Sequence, residues 1–483
     1  MTLLTDFYEL TMMQGYLKAD MADRIAVFDL FYRRNPSGNG YAIAAGLDQV
    51  VEYIRNLHFS SDDIYYLKET GFFDSLFLNA LENFRFTGDI YAIPEGTAVF
   101  PHEPLVKVKA PIFQAQLLET ALLTIINHQS LIATKAARVC QAAQGDPVLE
   151  FGLRRAQGPD AGVYGARAAV IGGCTATSNV LAGRMFDIPV RGTHAHSWVM
   201  NFEDELTAFR TYAKAFPQAC VLLVDTYDTL KSGLPNAITV FNEMREAGIL
   251  FNGYGVRLDS GDLAYISKMA RKILDEAGFT DAVISASSDL DENLITQLKI
   301  QGAKITLWGV GTNLITSVDC PAFGGVYKLA AQMGGSGQLI PKIKLSENPE
   351  KVTNPGDKKL FRLYDRSSGM LKADLITLAD EQPDASNDLT IFDPMATWKS
   401  MTLNAGTYIV RELLAPVFIN GECVYNKRSV TDIQAYCAKE LDTLWDEHKR
   451  LANPQIAYVD LSQRLYDLKQ KLIRQTRGRT TGL

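Results

Sequence analysis

Apolar and polar positions along the chain change period several times. Residues 7–17 place apolar side chains at helical spacing, and residues 25–32 (IAVFDLFY) alternate at the spacing of a strand. Residues 46–55 return to the helical period. Between 90 and 109, Pro94, Gly96, Pro101 and Pro104 separate short β-rich runs, which predicts small antiparallel strands joined by tight turns. Residues 1–112 therefore read as an N-terminal α/β sandwich domain.

From 113 to 345 the pattern changes. A long helical stretch, 114–143, carries Leu118, Leu122, Ile125 and Ile126 on one face. Strand-like runs at 147–151, 188–190, 220–224, 254–258, 282–285 and 305–308 then alternate with helical runs at 167–182, 203–216, 234–247, 262–277 and 290–300. Strands alternating with helices are parallel βα units. A series of about six or seven predicts an α/β fold closed or nearly closed into a βα barrel, with an open doubly wound sheet as the alternative. Residues 346–483 open on Pro349 and the turn Asn354-Pro-Gly-Asp357. They continue with strand-like runs at 360–364 and 371–378, an acidic loop at 380–395 and helix from 430 to 475, an α+β region. The helical charges there have the spacing of a solvated face, and Arg474, Arg477 and Arg479 read as a frayed end.

Composition narrows the function. Of 483 residues, 47% are hydrophobic and 21% charged, the balance of a globular protein with a sizeable core. Lys plus Arg number 48 against 55 Asp plus Glu, a net charge of −7, so there is no basic footprint for nucleic acid. A phosphorylated ligand would need a local positive pocket. The six cysteines form no CxxC pair, which argues against structural zinc or a disulfide framework and for a reducing compartment. The start, Met1-Thr-Leu-Leu-Thr-Asp6, has no basic n-region, and no apolar run reaches membrane-spanning length. A cytoplasmic enzyme with no membrane partner is expected.

The strand ends carry the chemistry. They are followed by Gly152-Leu-Arg-Arg155, Arg191-Gly-Thr-His-Ala-His-Ser197, Asp225-Thr-Tyr-Asp228, Asp259-Ser-Gly-Asp262, Ala286-Ser-Ser-Asp289 and Gly309-Val-Gly-Thr-Asn313. Any one could be an ordinary turn with a helix cap. In a βα barrel all six open on one rim, where active sites sit. Gly309-Val-Gly-Thr-Asn313 offers backbone N–H groups at a helix start for a phosphate, without the Lys-Ser/Thr of a Walker loop. Ser287 and Ser288 could add donors, and Asp289 with Glu292 has capping-box spacing. Asp225 and Asp259 suit either Mg²⁺ or the hydroxyls of a ribose, with helix capping an alternative for Asp259. Arg257, two residues before Asp259, points to the same side and offers a fork for a carboxylate. His194 and His196 could be a base or a phosphoryl acceptor, or in the case of His194 a core histidine. A metal pair is disfavoured because no cysteine is close.

These clusters, with Thr5-Asp-Phe-Tyr-Glu-Leu-Thr-Met12 and Glu150-Phe-Gly-Leu-Arg-Arg-Ala-Gln-Gly-Pro-Asp160, resemble the nicotinate phosphoribosyltransferases. The matching motifs run in the family's order from residue 5 to about 330. The resemblance implies an irregular barrel of the type II phosphoribosyltransferase kind and a homodimer with the active site at the subunit interface. It implies transfer of phosphoribosyl from phosphoribosyl pyrophosphate to nicotinate, with Mg²⁺ as cofactor and ATP as co-substrate through a phosphohistidine, the first step of NAD salvage from nicotinate. The family's phosphorylated histidine ends Gly-Thr-x-x-His, here His196. Phe151 and the partner's Tyr8 would sandwich the pyridine ring, and Arg257, Arg154 and Ser197 would face its carboxylate. Asp225 and Asp259 would hold the ribose or Mg²⁺. Ser288, Gly309, Gly311 and Thr312 would cradle the 5′-phosphate, and Lys328 with the partner's Arg33 would contact pyrophosphate. Related nicotinamide enzymes carry an aspartate in the amide pocket, and residues 192–197 hold none, which favours nicotinate. Nicotinamide or quinolinate transfer, and a non-catalytic nucleotide-binding barrel, remain the alternatives.

Overall fold

The computed structural model describes residues 1–249 and 253–480, with side chains through 477. The chain divides into two compact units. One comprises Met1–Leu131, Ala322–Arg428 and Ala435–Leu483; the other comprises Ile132–Pro321 and Ser429–Gln434.

The first unit is built on a seven-stranded antiparallel sheet. Its order is Leu339–Pro341, Gly325–Met333, Ile25–Tyr32, Val106–Pro111, Asp89–Ala92, Ala415–Ile419 and Glu422–Cys423. Ile25–Tyr32 lies inside this sheet and is buried on both faces from Ala26 onward, with Phe28 opposite Val108 on one side and Leu329 on the other. The strand expected at 25–32 thus forms as read. Gly325–Met333 alternates only weakly between buried and half-buried positions, so period alone does not reveal it. The short helices Ser61–Glu69 and Ser75–Glu82 were likewise outside the pattern; each starts on a capping side chain, Ser60 and Asp74.

A second sheet in this unit has the order Tyr408–Glu412, Lys358–Asp365, Leu371–Leu378 and Val459–Leu461. Its last strand corrects the expectation of continuous helix over 430–475, where Val430–Asp442, Asp446–Lys449 and Gln463–Thr480 are the helices. The acidic stretch 380–395 is not all loop, since Leu389–Phe392 pairs with Ser400–Leu403. Nor is the face of 430–475 wholly solvated. Glu440 is buried because it meets Arg362 Nη1 at 3.2 Å and Arg411 Nη1 at 2.7 Å. Arg362 is itself fully buried, and its Nη2 donates to Asp374 at 2.6 Å and to the Ala98 carbonyl at 2.7 Å. A buried guanidinium requires such complete pairing. Arg474 and Arg477 sit on the terminal helix and not on a frayed end; the side chain of Arg479 lies outside the described residues.

The second unit holds six parallel strands in the order Ala176–Thr177, Val148–Glu150, Leu307–Val310, Val283–Ala286, Gly255–Leu258 and Val221–Leu223. A single parallel bridge joins Thr177 to Val190 beyond the first edge. The helix expected at 167–182 is two, Pro159–Ile171 and Val180–Phe186, with Ala176–Thr177 between them. Gly173, at φ +121°, ends the first helix in a conformation that β-carbon residues avoid. The last strand is shifted from 305–308 to Leu307–Val310, so Gly309 and Val310 are strand residues. Carboxylates start the helices: Asp204 accepts from Thr207 N at 2.7 Å, Asp262 from Tyr265 N at 2.9 Å and Asp291 from Leu294 N at 2.7 Å. Asp259 is therefore released from capping by Asp262. The capping box expected from Asp289 and Glu292 is absent, because Glu292 is buried between Lys135 Nζ and Arg138 Nε, each 2.8 Å away. Among the described residues no helix is long and apolar enough to cross a membrane.

Candidate active site at the ends of the parallel strands

Asp225 follows Val221–Leu223 and Asp259 follows its neighbour Gly255–Leu258, so parallel pairing brings the two carboxylates together. The Asp259 N–H donates to Asp225 Oδ2 at 2.9 Å, and the Ser260 hydroxyl donates to the same oxygen at 2.6 Å. The other oxygen, Asp225 Oδ1, is buried and has no hydrogen-bond partner among the described residues. His196 opens the short helix His196–Met200 and faces both acids. Its Nε2 lies 3.8 Å from Asp259 Oδ2 and 4.0 Å from Asp225 Oδ1, while its Nδ1 shares a 3.1 Å hydrogen bond with the Thr226 hydroxyl.

Arg257 extends the cluster. Its Nε donates to Ser287 Oγ at 2.9 Å, Nη1 to Thr193 Oγ1 at 3.0 Å and Nη2 to Asp259 Oδ1 at 3.1 Å. Ser287 also donates to Asp259 Oδ1. A guanidinium has five N–H donors, so one on each Nη remains for a ligand. The Arg257 Cζ lies 5.8 Å from the centroid of the Phe151 ring. Phe151 packs against Gly309, where a β-carbon would come within 2.8 Å of two ring atoms. Gly309 therefore seats the ring from within its strand and is not a loop residue.

The two histidines separate cleanly. His194 is 8% exposed, and its Nε2 accepts the Leu223 N–H at 3.2 Å. Burial, opposed by a weak bond to the Ala195 carbonyl, pushes it down to about 4 and keeps it neutral. It is a hydrogen-bonded core histidine, while His196 is the one exposed to the site.

Near the end of Val283–Ala286, Ser288 and Asp289 take φ of +88° and +39°, two successive non-glycine residues in the left-handed region. Asn313 Nδ2 donates to the Asp289 carbonyl at 2.7 Å, which ties this turn to Gly311 and Thr312. The helix Thr312–Ile315 has four residues, so it supplies local N–H groups and little dipole. Ser287 is buried, with its hydroxyl held by Arg257 and Asp259, and Ser288 alone of the pair is exposed.

Among the expected nicotinate residues, Phe151 and Arg257 are in contact, whereas Arg154 and Ser197 are exposed and have no bond to Arg257 among the described residues. Tyr8, Arg33 and Lys328 belong to the first unit. Tyr8 is 45% exposed on the helix Phe7–Lys18, and burial followed by the charge of Glu119 pushes its phenol up. Lys328 Nζ lies 3.7 Å from Glu119 Oε1. The Arg33 Nε is buried with no hydrogen-bond partner among the described residues. Sequence reasoning gave no role to Thr193, Thr226 or Ser260, which hold Arg257, His196 and Asp225. Their one signal is adjacency to the residues they hold.

No group of three or more His, Cys, Asp or Glu side chains is arranged to hold a metal ion among the described residues. Two carboxylates with one unsatisfied oxygen nevertheless fit Mg²⁺, a hard cation that takes few protein ligands and completes its shell with phosphates and water.

Comparison with known proteins covers nearly the whole chain. Residues 3–127 match the nicotinate phosphoribosyltransferase N-terminal domain, 147–351 the nicotinate phosphoribosyltransferase family and 357–469 its C-terminal domain. The nicotinate phosphoribosyltransferase of Bacillus subtilis is 47% identical over 479 residues, 99% of this chain and 96% of that protein. The human enzyme of that name is 35% identical over 532 residues, 97% and 96% of the two chains. The crystal structure of human nicotinic acid phosphoribosyltransferase superposes with a TM-score of 0.85 at 33% identity, over 97% of this chain and 100% of that one. A nicotinate-nucleotide pyrophosphorylase from Pyrococcus furiosus, at 22% identity and a TM-score of 0.68 over 91% and 94% of the chains, shares the fold. The chain belongs to the nicotinate phosphoribosyltransferase family, a family of enzymes.

Proposed function

We propose that the protein transfers the phosphoribosyl group of phosphoribosyl pyrophosphate to nicotinate, giving nicotinate mononucleotide and pyrophosphate. The observation that carries this reading is Arg257 held beside the Phe151 ring with two N–H groups unspent. An aromatic acid stacked on Phe151 presents its carboxylate to that fork. The ribose lies toward Asp259 and Asp225, whose charge stabilises the oxocarbenium character that develops as pyrophosphate leaves C1. Bound Mg²⁺ would screen the pyrophosphate charge there, held by Asp225 and Asp259. Ser288, Gly311 and Thr312 hold the 5′-phosphate in the turn that Asn313 braces. The pyridine nitrogen is a weak nucleophile, so the stacked ring and the clamped carboxylate supply the attack geometry.

His196 Nε2 takes the γ-phosphoryl of ATP, ADP leaves, and hydrolysis of the phosphohistidine drives the transfer forward. Thr226 supports this by engaging Nδ1, which leaves Nε2 toward the open side of the acids. The protein works as a cytoplasmic homodimer in which the partner subunit's Tyr8 closes the other face of the pyridine. The half-exposed position of Tyr8 on its helix supports that role, and the orphaned Nε of Arg33 supports a pyrophosphate contact there with Lys328. We read the six parallel strands as an irregular barrel; the Thr177–Val190 bridge and the His194 bond to Leu223, which bring one segment to both edges, support that reading. The absence of an acid in 192–197 favours nicotinate over nicotinamide, and quinolinate would call for more arginines around Arg257.

The experiment is mass-spectrometric detection of nicotinate mononucleotide from nicotinate, phosphoribosyl pyrophosphate and Mg²⁺, with and without ATP. The reading expects product in both, with more product and stoichiometric ADP and phosphate when ATP is present. No product under either condition overturns it.

A further inference from the structure

The first unit contains a cavity of about 500 Å³ that none of the residues discussed above as substrate contacts lines. Val352, Ile376, Ile456 and Tyr458 give it apolar walls, and Met395 and Ile456 are exposed at its rim. Its size is that of a small-molecule site. Two of its lining residues, Asp460 and Lys469, carry opposite charges when ionised.

Asp460, on the strand Val459–Leu461, lines the cavity, is 3% exposed and has no hydrogen-bond partner for its carboxyl among the described residues. Another acid, Asp393, also lines the cavity, and its Oδ1 accepts from Met395 N at 2.8 Å. Burial first and Asp393 second push Asp460 up to about 7. Lys469 lines the cavity too. Its Nζ donates to Asn354 Oδ1 at 2.8 Å, a neutral acceptor, and no carboxylate pairs with it. Burial, and then the like charge of Lys358, push it down to about 8. The remaining ionisable groups do not relieve either pole. Lys358 is spent on Asp29 at 2.7 Å, Glu350 is held by Arg34 at 3.0 Å, His102 is pushed down to about 4 by burial, and Lys399 is exposed.

A fold gains little from a buried acid without a partner and a half-buried ammonium without a carboxylate, since apolar side chains would be more stable there. No ion pair joins Asp460 to Lys469 among the described residues, and the Lys469 ammonium is bonded to Asn354 instead. One molecule carrying both signs, with an apolar body between them, satisfies both poles and the walls. We propose that this cavity binds a small zwitterion, its ammonium group against Asp460 and its anionic group against Lys469.

The test is titration calorimetry on the intact protein with ω-aminohexanoate and ω-aminooctanoate, against hexylamine and hexanoate as single-charge controls. At least one amino acid should bind about tenfold or more tighter than both controls. Binding should be strongest between about pH 7 and 8, where Asp460 is losing its proton and Lys469 still keeps its own. Asp460→Asn and Lys469→Met should each weaken it by about tenfold or more, with nicotinate mononucleotide formation unchanged and the melting temperature no lower than that of the parent. No saturable binding of either amino acid, equal binding of a control, or unaltered binding in Asp460→Asn would each overturn the proposal.

Discussion

The Nε2 of His194 accepts the backbone N–H of Leu223 at 3.2 Å, so a side chain occupies the place where a further strand would pair with Val221–Leu223. His194 lies four residues after Val190, which bridges Thr177 at the opposite edge of the same six strands. One short segment thus reaches both edges, and it continues directly into His196. Tyr212, edge-on at 4.7 Å between ring centroids, holds the imidazole in that pose.

His194 gives the protein an acid-sensitive bond. Its folded proton affinity is near 4 and its ordinary value is 6.5. Between these values the unfolded chain binds a proton that the folded chain refuses, so stability is lost as pH falls through that window. His194→Leu keeps bulk but removes the acceptor and leaves the Leu223 N–H unsatisfied. It should lower stability at neutral pH by about 1–3 kcal/mol and flatten the acid slope between about pH 6.5 and 4. Urea unfolding at graded pH measures both; an unchanged slope would show that another group carries the titration.

The strand ends were legible because parallel βα units put them on one side whatever the exact register. Asp225, Asp259 and Arg257 were found from position alone, and their bonds to one another agree with strand spacing. Register was less legible. Gly309 reads as loop in a Gly-x-Gly run, yet it sits in a strand because the Phe151 ring needs a surface without a β-carbon. Ser287 and Ser288 look equivalent in sequence, but the alternation of the chain buries one against Arg257 and exposes the other. Glu440 has a surface pattern on its helix, and only the distant Arg362 and Arg411 explain its burial. Such long-range pairings have no local signature.

His196→Asn should abolish ATP consumption linked to turnover and leave slower, uncoupled transfer. Asparagine can keep a hydrogen bond to Thr226 but cannot accept a phosphoryl group. Thr226→Val, which removes the partner of Nδ1, should reduce coupled turnover by about tenfold or more while sparing the uncoupled rate. ADP release measured beside nicotinate mononucleotide separates the two reactions. Full ATP coupling in His196→Asn would refute the assignment.

Glu9 titrates with the opposite sign to His194. It is fully buried, and it accepts from Thr120 N at 2.9 Å, Thr120 Oγ1 at 2.6 Å and Thr5 Oγ1. Burial outweighs those bonds and pushes the carboxyl up from 4.5 to about 7. In that window the folded state holds a proton that the unfolded chain has lost, so stability falls as pH rises and the deficit is constant above it. Glu9→Gln should therefore be more stable than the parent at about pH 8, with the gain vanishing near about pH 4. Denaturation midpoints at those two values decide it, and a gain independent of pH would contradict the cause given.

Arg257→Lys tests whether the guanidinium reads the substrate or only braces the cluster. The arginine bonds Ser287, Thr193 and Asp259 and still has two N–H groups to offer. Lysine has three donors on one nitrogen, too few and too close together to brace three partners and clamp a carboxylate. The KM for nicotinate should rise about tenfold or more, while the KM for nicotinamide, which lacks the carboxylate, changes much less. Steady-state kinetics with both substrates reads the difference directly. An equal rise for both would assign Arg257 a bracing role through Asp259 and move acid recognition to another residue.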